Sequence, residues 1–182
     1  GDGSLKRPKS LPADIVRFKN GSEEWIAFVG LMEGRPYEIF TGKLEEDALY
    51  IPRKITKGNI IKVREADGKK RYDFQYTDRY GYTNTVGGVS RLFDEEFWNY
   101  AKLISGVLRH GMPIDNAVSL IESLHLNSET INTWKNGVER ALKQYIVDGT
   151  KSKEKCPSCG QETLVYQNGC LTCASCGYSK CG

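Results

Sequence analysis

No cysteine occurs before position 156 of this 182-residue chain, and all six lie between Cys156 and Cys181. Such clustering marks a local chemical device. The tail reads Cys156-Pro157-Ser158-Cys159-Gly160, then Gly169-Cys170-Leu171-Thr172-Cys173-Ala174-Ser175-Cys176-Gly177, and finally Cys181. Two Cys-x-x-Cys units separated by a strand-like stretch, Thr163-Leu164-Val165-Tyr166, have the spacing of a tetrahedral thiolate zinc site, in which each pair makes a tight knuckle and glycine lets the chain turn back. Few large apolar side chains follow Cys156, so this tail needs a metal to fold; structural zinc supplies apparent binding energies of about 10–16 kcal/mol. A disulfide framework in a secreted protein is the competing reading. The long cysteine-free stretch ahead of adjacent Cys-x-x-Cys units favours Zn2+ in a reducing, cytoplasmic compartment.

Tetrahedral zinc takes four thiolates, so two of the six are surplus. Two partitions fit. In one, Cys156, Cys159, Cys173 and Cys176 hold the metal, each pair followed by glycine (Gly160 and Gly177), and Cys170 and Cys181 remain. In the other, Cys156, Cys159, Cys170 and Cys173 are the ligands, and Cys176 and Cys181 form a Cys-x4-Cys pair at the chain end. The symmetry of the knuckles favours the first. In either case two thiols remain beside Lys180 and a zinc ion, whose charge favours the thiolate. A thiolate attacks disulfides, and a pair can resolve the mixed disulfide by forming its own bond. This suggests redox work.

The remainder of the chain reads as an α+β domain. Residues 1–13 are polar and basic with two prolines and read as a tether, with order expected to begin near Asp14. Ile15, Val16 and Phe18 lead through Asn20-Gly21, which tolerates the positive φ of a hairpin turn, to Trp25-Ile26-Ala27-Phe28-Val29. Met32-Glu33-Gly34-Arg35 turns into Tyr37-Glu38-Ile39-Phe40. Ile60-Ile61-Lys62-Val63 leads through Asp67-Gly68 to Tyr72-Asp73-Phe74-Gln75-Tyr76, whose alternation places the three aromatics on one face. Tyr80-Gly81-Tyr82 and Gly87-Gly88 are expected to continue and then end a mostly antiparallel sheet. Asp94 is a good N-cap for a helix with Phe97, Tyr100, Ala101, Ile104, Val107 and Leu108 on one stripe, stopped at Gly111. Pro113 opens a second helix, with Ile114, Ala117, Val118, Ile121 and Leu124 buried. Asn127 or Ser128 caps a third, with Ile131, Trp134, Val138, Leu142 and Tyr145 buried.

Strands followed by three packed helices argue for α+β, with helices over one sheet face, rather than an alternating parallel architecture. The expected organisation is a tether (1–13), the α+β domain (14–147), a polar linker (148–155) and a small zinc ribbon (156–182).

Other chemistry is thinly represented. A net charge of +3 and a pI near 8.5 permit nucleic-acid binding without indicating it. No apolar run reaches the roughly 20 residues that span a bilayer, so no membrane is expected. The start, Gly1-Asp2-Gly3-Ser4, has neither an initiator Met nor an apolar signal segment and reads as a soluble piece of something longer or as the remnant of a tag. His110, near a helix end, and His125 read as structural, and Trp25, Trp98 and Trp134 as packing residues. The runs Glu45-Glu46-Asp47 and Asp94-Glu95-Glu96 read as a solvated face and a helix start. There is no phosphate-cradling Gly-rich motif and no nucleophile–base constellation.

Four segments carry a resemblance. Lys6-Arg7-Pro8-Lys9-Ser10-Leu11-Pro12, Gly34-Arg35-Pro36-Tyr37-Glu38-Ile39-Phe40, Lys102-Leu103-Ile104-Ser105-Gly106-Val107-Leu108-Arg109-His110-Gly111 and the closing run from Gly169 to Gly182 resemble the C-terminal region of adenosylcobalamin-dependent (class II) ribonucleotide reductases. The resemblance covers nearly the whole chain, and the cysteine tail is its most specific part. In that family each turnover oxidises two active-site cysteines to a disulfide, which cysteines on the C-terminal tail reduce by exchange. The resemblance therefore implies Cys170 and Cys181, or Cys176 and Cys181, as a redox shuttle, with the other four on zinc. It also implies a catalytic barrel of the same or a neighbouring chain as partner, an external dithiol reductant, a homo-oligomeric full enzyme, and adenosylcobalamin bound in that barrel. The barrel, its radical-forming cysteine and the cobalamin site are not in these residues, so the chain alone is expected to be inactive. A zinc-ribbon module that binds nucleic acid or protein through Lys151, Lys153, Lys155 and Lys180 is the alternative.

Overall fold

Asn20-Gly21 sits where a tight turn is needed: Gly21 has φ +66°, and the chain reverses there between two long strands. The computed structural model describes residues 6–44, 50–89 and 94–181. Gly1 to Leu5 of the expected tether, the Glu45-Glu46-Asp47 run and Gly182 lie outside them. Six antiparallel strands, β1 (Ser10–Asn20), β2 (Glu23–Met32), β3 (Arg35–Lys43), β4 (Lys57–Arg64), β5 (Lys70–Thr77) and β6 (Thr83–Val86), form one sheet in the order β3-β2-β1-β4-β5-β6. Three helices follow, α1 (Glu95–Arg109), α2 (Ile114–Glu122) and α3 (Glu129–Lys143), so the fold is α+β as the residue pattern predicts. Three short strands, β7 (Leu164–Gln167), β8 (Cys170–Cys173) and β9 (Ser179–Lys180), close the chain.

The chain divides into two compact units, Gly1–Met112 and Pro113–Gly182. In the first unit β1 changes partner along its length: residues 13–20 pair with β2 and residues 10–14 with β4. A core of Ile15, Ile26, Phe28, Phe40, Ile60 and Phe74 fills the inside of the sheet, with Tyr72 and Tyr76 packed on it beside Phe74 as their alternation predicts. Order begins earlier than expected. Leu11 and Ala13 are buried strand residues, and Pro12 is tolerated because there β1 pairs only with β4, leaving an unpaired side on which a missing N–H breaks no ladder.

The segment before β1 is also anchored. Arg7 places its guanidinium 2.6 Å from the Glu38 carboxylate, with the two side chains only 6% and 1% exposed, and donates further to the carbonyls of Pro8, Lys9 and Ile60. Gly30 faces Glu38 across β2 and β3, where a Cβ would lie 2.7 Å from the glutamate Cγ.

Helix α1 lies along β3, the edge strand. Asp94 caps it, accepting from the Glu96 N–H, as its position before the apolar stripe predicts. Ser105 Oγ both accepts from Ile39 N–H and donates to Ile39 C=O, so the helix satisfies backbone groups that β3 would otherwise expose. Phe97 meets Trp25 edge-on at 4.8 Å, and Trp98 stacks on Phe40 at 5.0 Å. Helices α2 and α3 belong to the second unit. Leu124, expected on the α2 stripe, lies past the helix end and is exposed, and Tyr80-Gly81-Tyr82 forms a turn rather than strand, fastened by Asp78 accepting from the N–H groups of Tyr80 and Tyr82. In the second unit α3 buries Trp134, Val138 and Leu142, as predicted, together with a carboxylate, Glu139. Its Oε1 has no hydrogen-bond partner among the described residues. Burial, then repulsion from Glu122, raises its pKa from 4.5 to about 7, with Lys143 and Lys135 opposing and Glu154 adding to the rise.

Two outcomes test this description. Arg7→Met strands a buried carboxylate and should destabilise the chain by about 3–5 kcal/mol in denaturant titration, with much of the loss recovered in the Arg7→Met/Glu38→Met double variant. Glu139 keeps its proton in the folded chain to a higher pH than in the unfolded one, so its ionisation opposes folding. Stability should fall as pH rises from 4.5 to about 7, and Glu139→Gln should remove that fall, worth up to about 3 kcal/mol above pH 7.

Candidate metal centre

The last strands bring the cysteines together. β7 and β8 form a hairpin with register Leu164↔Cys173 to Gln167↔Cys170, turned by Asn168 and Gly169, both at positive φ as a two-residue turn between twisted strands demands. β9 then adds to β8 with Leu171 opposite Lys180 and Thr172 opposite Ser179. The expected linker is partly drawn into this sheet. Gly149 N–H donates to Tyr166 C=O, Tyr166 N–H to Thr150 C=O and Ser152 N–H to Leu164 C=O, because the outer edge of β7 offers those groups partners.

The two Cys-x-x-Cys-Gly segments adopt the same backbone pattern. Cys156 N–H donates to Gln161 C=O and Gly160 N–H to Cys156 C=O; likewise Cys173 N–H donates to Tyr178 C=O and Gly177 N–H to Cys173 C=O. Gly160 at φ +74° and Gly177 at φ +78° take the left-handed conformation that closes each knuckle. The sulfurs of Cys156, Cys159, Cys173 and Cys176 all lie within 4.8 Å of one another. Cys156–Cys176 and Cys159–Cys173 are each 3.7 Å apart. A tetrahedron with metal–sulfur bonds of about 2.3 Å has edges of about 3.8 Å, so the donor set fits a four-coordinate, thiolate-loving ion such as zinc. Cys156 and Cys173 are buried, Cys159 is half-buried and Cys176 is exposed.

The thiols differ electrostatically. Thr163 Oγ1 lies 2.9 Å from Cys173 Sγ, and this hydrogen bond, joined by the N–H groups of Cys176 and Ser175, lowers the Cys173 pKa to about 6 against the opposing effect of burial. The Cys159 thiol goes the other way, to about 11: the Gln161 N–H pulls it down, but burial and the neighbouring sulfurs of Cys173, Cys156 and Cys176 outweigh it. Cys173 is therefore the first of the two to offer a thiolate. Thr163 is a site residue that the sequence pattern does not flag. Its place follows from the β7–β8 register, which sets Leu164 against Cys173 and lets Ala174 N–H bond Thr163 C=O.

Cys170 is not among the four, and neither is either histidine. Cys170 is joined to Cys181 by a disulfide. The pair is the next step of the β8–β9 register, and its Cα–Cα distance of 4.4 Å is that of a closely spaced antiparallel pair. Cys181 is exposed and Cys170 half-buried.

The chain is thus an α+β domain followed by a knuckle ribbon in which four cysteine sulfurs converge and a separate cysteine pair is bonded. The family model of the NrdJ homologue C-terminal domain matches residues 11–147, and the chain belongs to that family, the C-terminal region of a class II ribonucleotide reductase-related protein. No curated protein and no solved structure matches the chain. The ribbon lies outside the matched residues.

Two substitutions separate the roles around the cluster. Cys173→Ser should abolish stoichiometric metal binding in competition with a chromophoric chelator, whereas Thr163→Val should keep the fold and weaken binding by roughly ten-fold, as loss of an outer-shell partner does.

Proposed function

We propose that the chain is the electron-delivery region of a ribonucleotide reductase. The observation that carries the reading is the division of the sulfurs: four converge at metal-site distances, and two are held apart from them as a disulfide at an exposed strand end. Zinc on Cys156, Cys159, Cys173 and Cys176 would tie up four thiolates and secure the ribbon, leaving only Cys170 and Cys181 for exchange.

In the reduced pair, one thiolate attacks the active-site disulfide of the catalytic barrel, in the same or a neighbouring chain of a homo-oligomer. A mixed disulfide forms, and one active-site sulfur leaves as thiolate and takes a proton. The second cysteine of the pair attacks the sulfur of its neighbour, closing Cys170–Cys181 and releasing the other active-site thiol. Two electrons have then passed to the active site. An external dithiol reopens the pair by the same chemistry, becoming a disulfide itself. Three features support these assignments: the exposure of Cys181, its separation from the ribbon's buried sulfurs, and Lys180 beside it, whose charge favours the thiolate. The family membership points to the reaction served, and adenosylcobalamin chemistry belongs, on this reading, to the catalytic barrel.

The Cys170→Ser/Cys181→Ser variant of the full enzyme should retain zinc and complete a single turnover when its active site is reduced beforehand, yet fail to turn over repeatedly with a dithiol protein as reductant. Undiminished steady-state turnover would remove the proposal.

A further inference from the structure

The first unit holds a second site, unrelated to the cysteines. Between the segment before β1, strands β3 to β5 and the end of α1 lies a cavity of about 560 Å³ whose lining contains seven Lys and Arg side chains, two tyrosines and no carboxylate. The nearby Glu38 is committed to Arg7, at 2.6 Å. Around that pair stand Lys9, Lys62, Arg64, Lys70 and Arg109, none of them paired with a carboxylate among the described residues. The sheet register makes the crowding unavoidable: Arg64 faces Lys70 directly across β4 and β5, and Lys62 faces Tyr72 two residues along on the same side. Like charges directly opposite in a sheet are destabilising. The field is strong enough that Lys62, already shifted down by burial, is lowered further by Lys70, Arg64, Arg7 and Arg109. Two guanidiniums lie over the tyrosine rings, Arg7 at 5.7 Å from the Tyr72 centroid and Arg109 at 5.3 Å from that of Tyr37; the ring contact orients Arg109 while supplying no carboxylate to balance its charge, whereas Arg7 is balanced by Glu38.

Like-charge pairing that costs stability, gathered in a concavity, is the signature of an anion site. The cavity's size is that of a small-molecule site rather than a groove along a polymer, and the whole chain carries only +3. One phosphate would use two or three of these cations; the full set suits a chain of them. We propose that this cleft binds an oligophosphate anion, the phosphate chain of a nucleoside di- or triphosphate or a free polyphosphate, through Lys9, Lys62, Arg64, Lys70 and Arg109.

The test is calorimetric titration and thermal unfolding of the purified, metal-loaded chain with inorganic tripolyphosphate, ATP and adenosine, at low and at raised salt. Tripolyphosphate and ATP should bind and raise the melting temperature, less so as salt increases, and adenosine should not bind. Tighter binding of ATP than of tripolyphosphate would assign the site to a nucleotide, and equal binding to the phosphate chain alone. Lys70→Glu sets a carboxylate opposite Arg64, so it should leave the melting temperature of the unliganded chain unchanged or raised while abolishing binding. Arg64→Gln, at an exposed position, should weaken binding by roughly ten-fold or more, the loss expected for one charge-assisted phosphate contact. Absence of binding by both phosphate probes at low salt would overturn the proposal. So would affinity unaffected by either substitution, or a single-stranded oligonucleotide that displaces ATP at far lower concentration.

Discussion

Convergence of four sulfurs is the constraint on which the C-terminal part of the molecule rests. Besides the two buried cysteines, the described residues of the ribbon bury only Leu164, Tyr166 and Leu171, too little apolar surface to order strands of two to four residues. What replaces a core is a pair of knuckles with matching hydrogen bonds, each turning on a left-handed glycine. Their meeting sets the β7–β8 hairpin, and the hairpin in turn sets β9. Once β9 is in place, Cys170 and Cys181 face each other by register. The geometry that could hold an ion and the geometry that holds the disulfide are thus consequences of the same strand pairing.

The first unit solves a different problem. A six-stranded open sheet has two edges, and the β3 edge would leave backbone groups without partners. Ser105 meets this by presenting one hydroxyl as both donor and acceptor to Ile39. Arg35 of the same strand donates to the Leu108 and Met112 carbonyls at the far end of α1. Helix and edge therefore finish each other's hydrogen bonding, while Phe97 and Trp98 add apolar contact.

Periodicity carried much of this architecture in plain view. The hairpin at Asn20-Gly21, the aromatic face of β5, the Asp94 cap and the α1 and α3 stripes all depend on short-range patterns, which sequence displays directly. Long-range relations were hidden. Arg7 looks like part of a basic tether until Glu38, 31 residues away, is placed beside it. The lysines and arginines of the cleft are scattered from Lys6 to Arg109 and meet only through strand order. Tyr80 to Tyr82 have strand-forming side chains, but Asp78 captures their N–H groups first. The sulfurs fall between these extremes. Their spacing announces knuckles, whereas which two stand apart is decided by how β9 aligns with β8, and Thr163 joins them only through the third dimension.

The stretch leading into the ribbon has one more consequence. Gly149 to Ser152 are stitched to β7, Asp148 accepts from Asn168 N–H, and the turn at Gly169 lies so near Gln144 that a single added carbon would come within 3.3 Å of its backbone. The cysteine pair is accordingly not dangling on an eight-residue leash. It is built into the same framework of hydrogen bonds and close backbone contacts as the end of α3, so whatever moves the one carries the other.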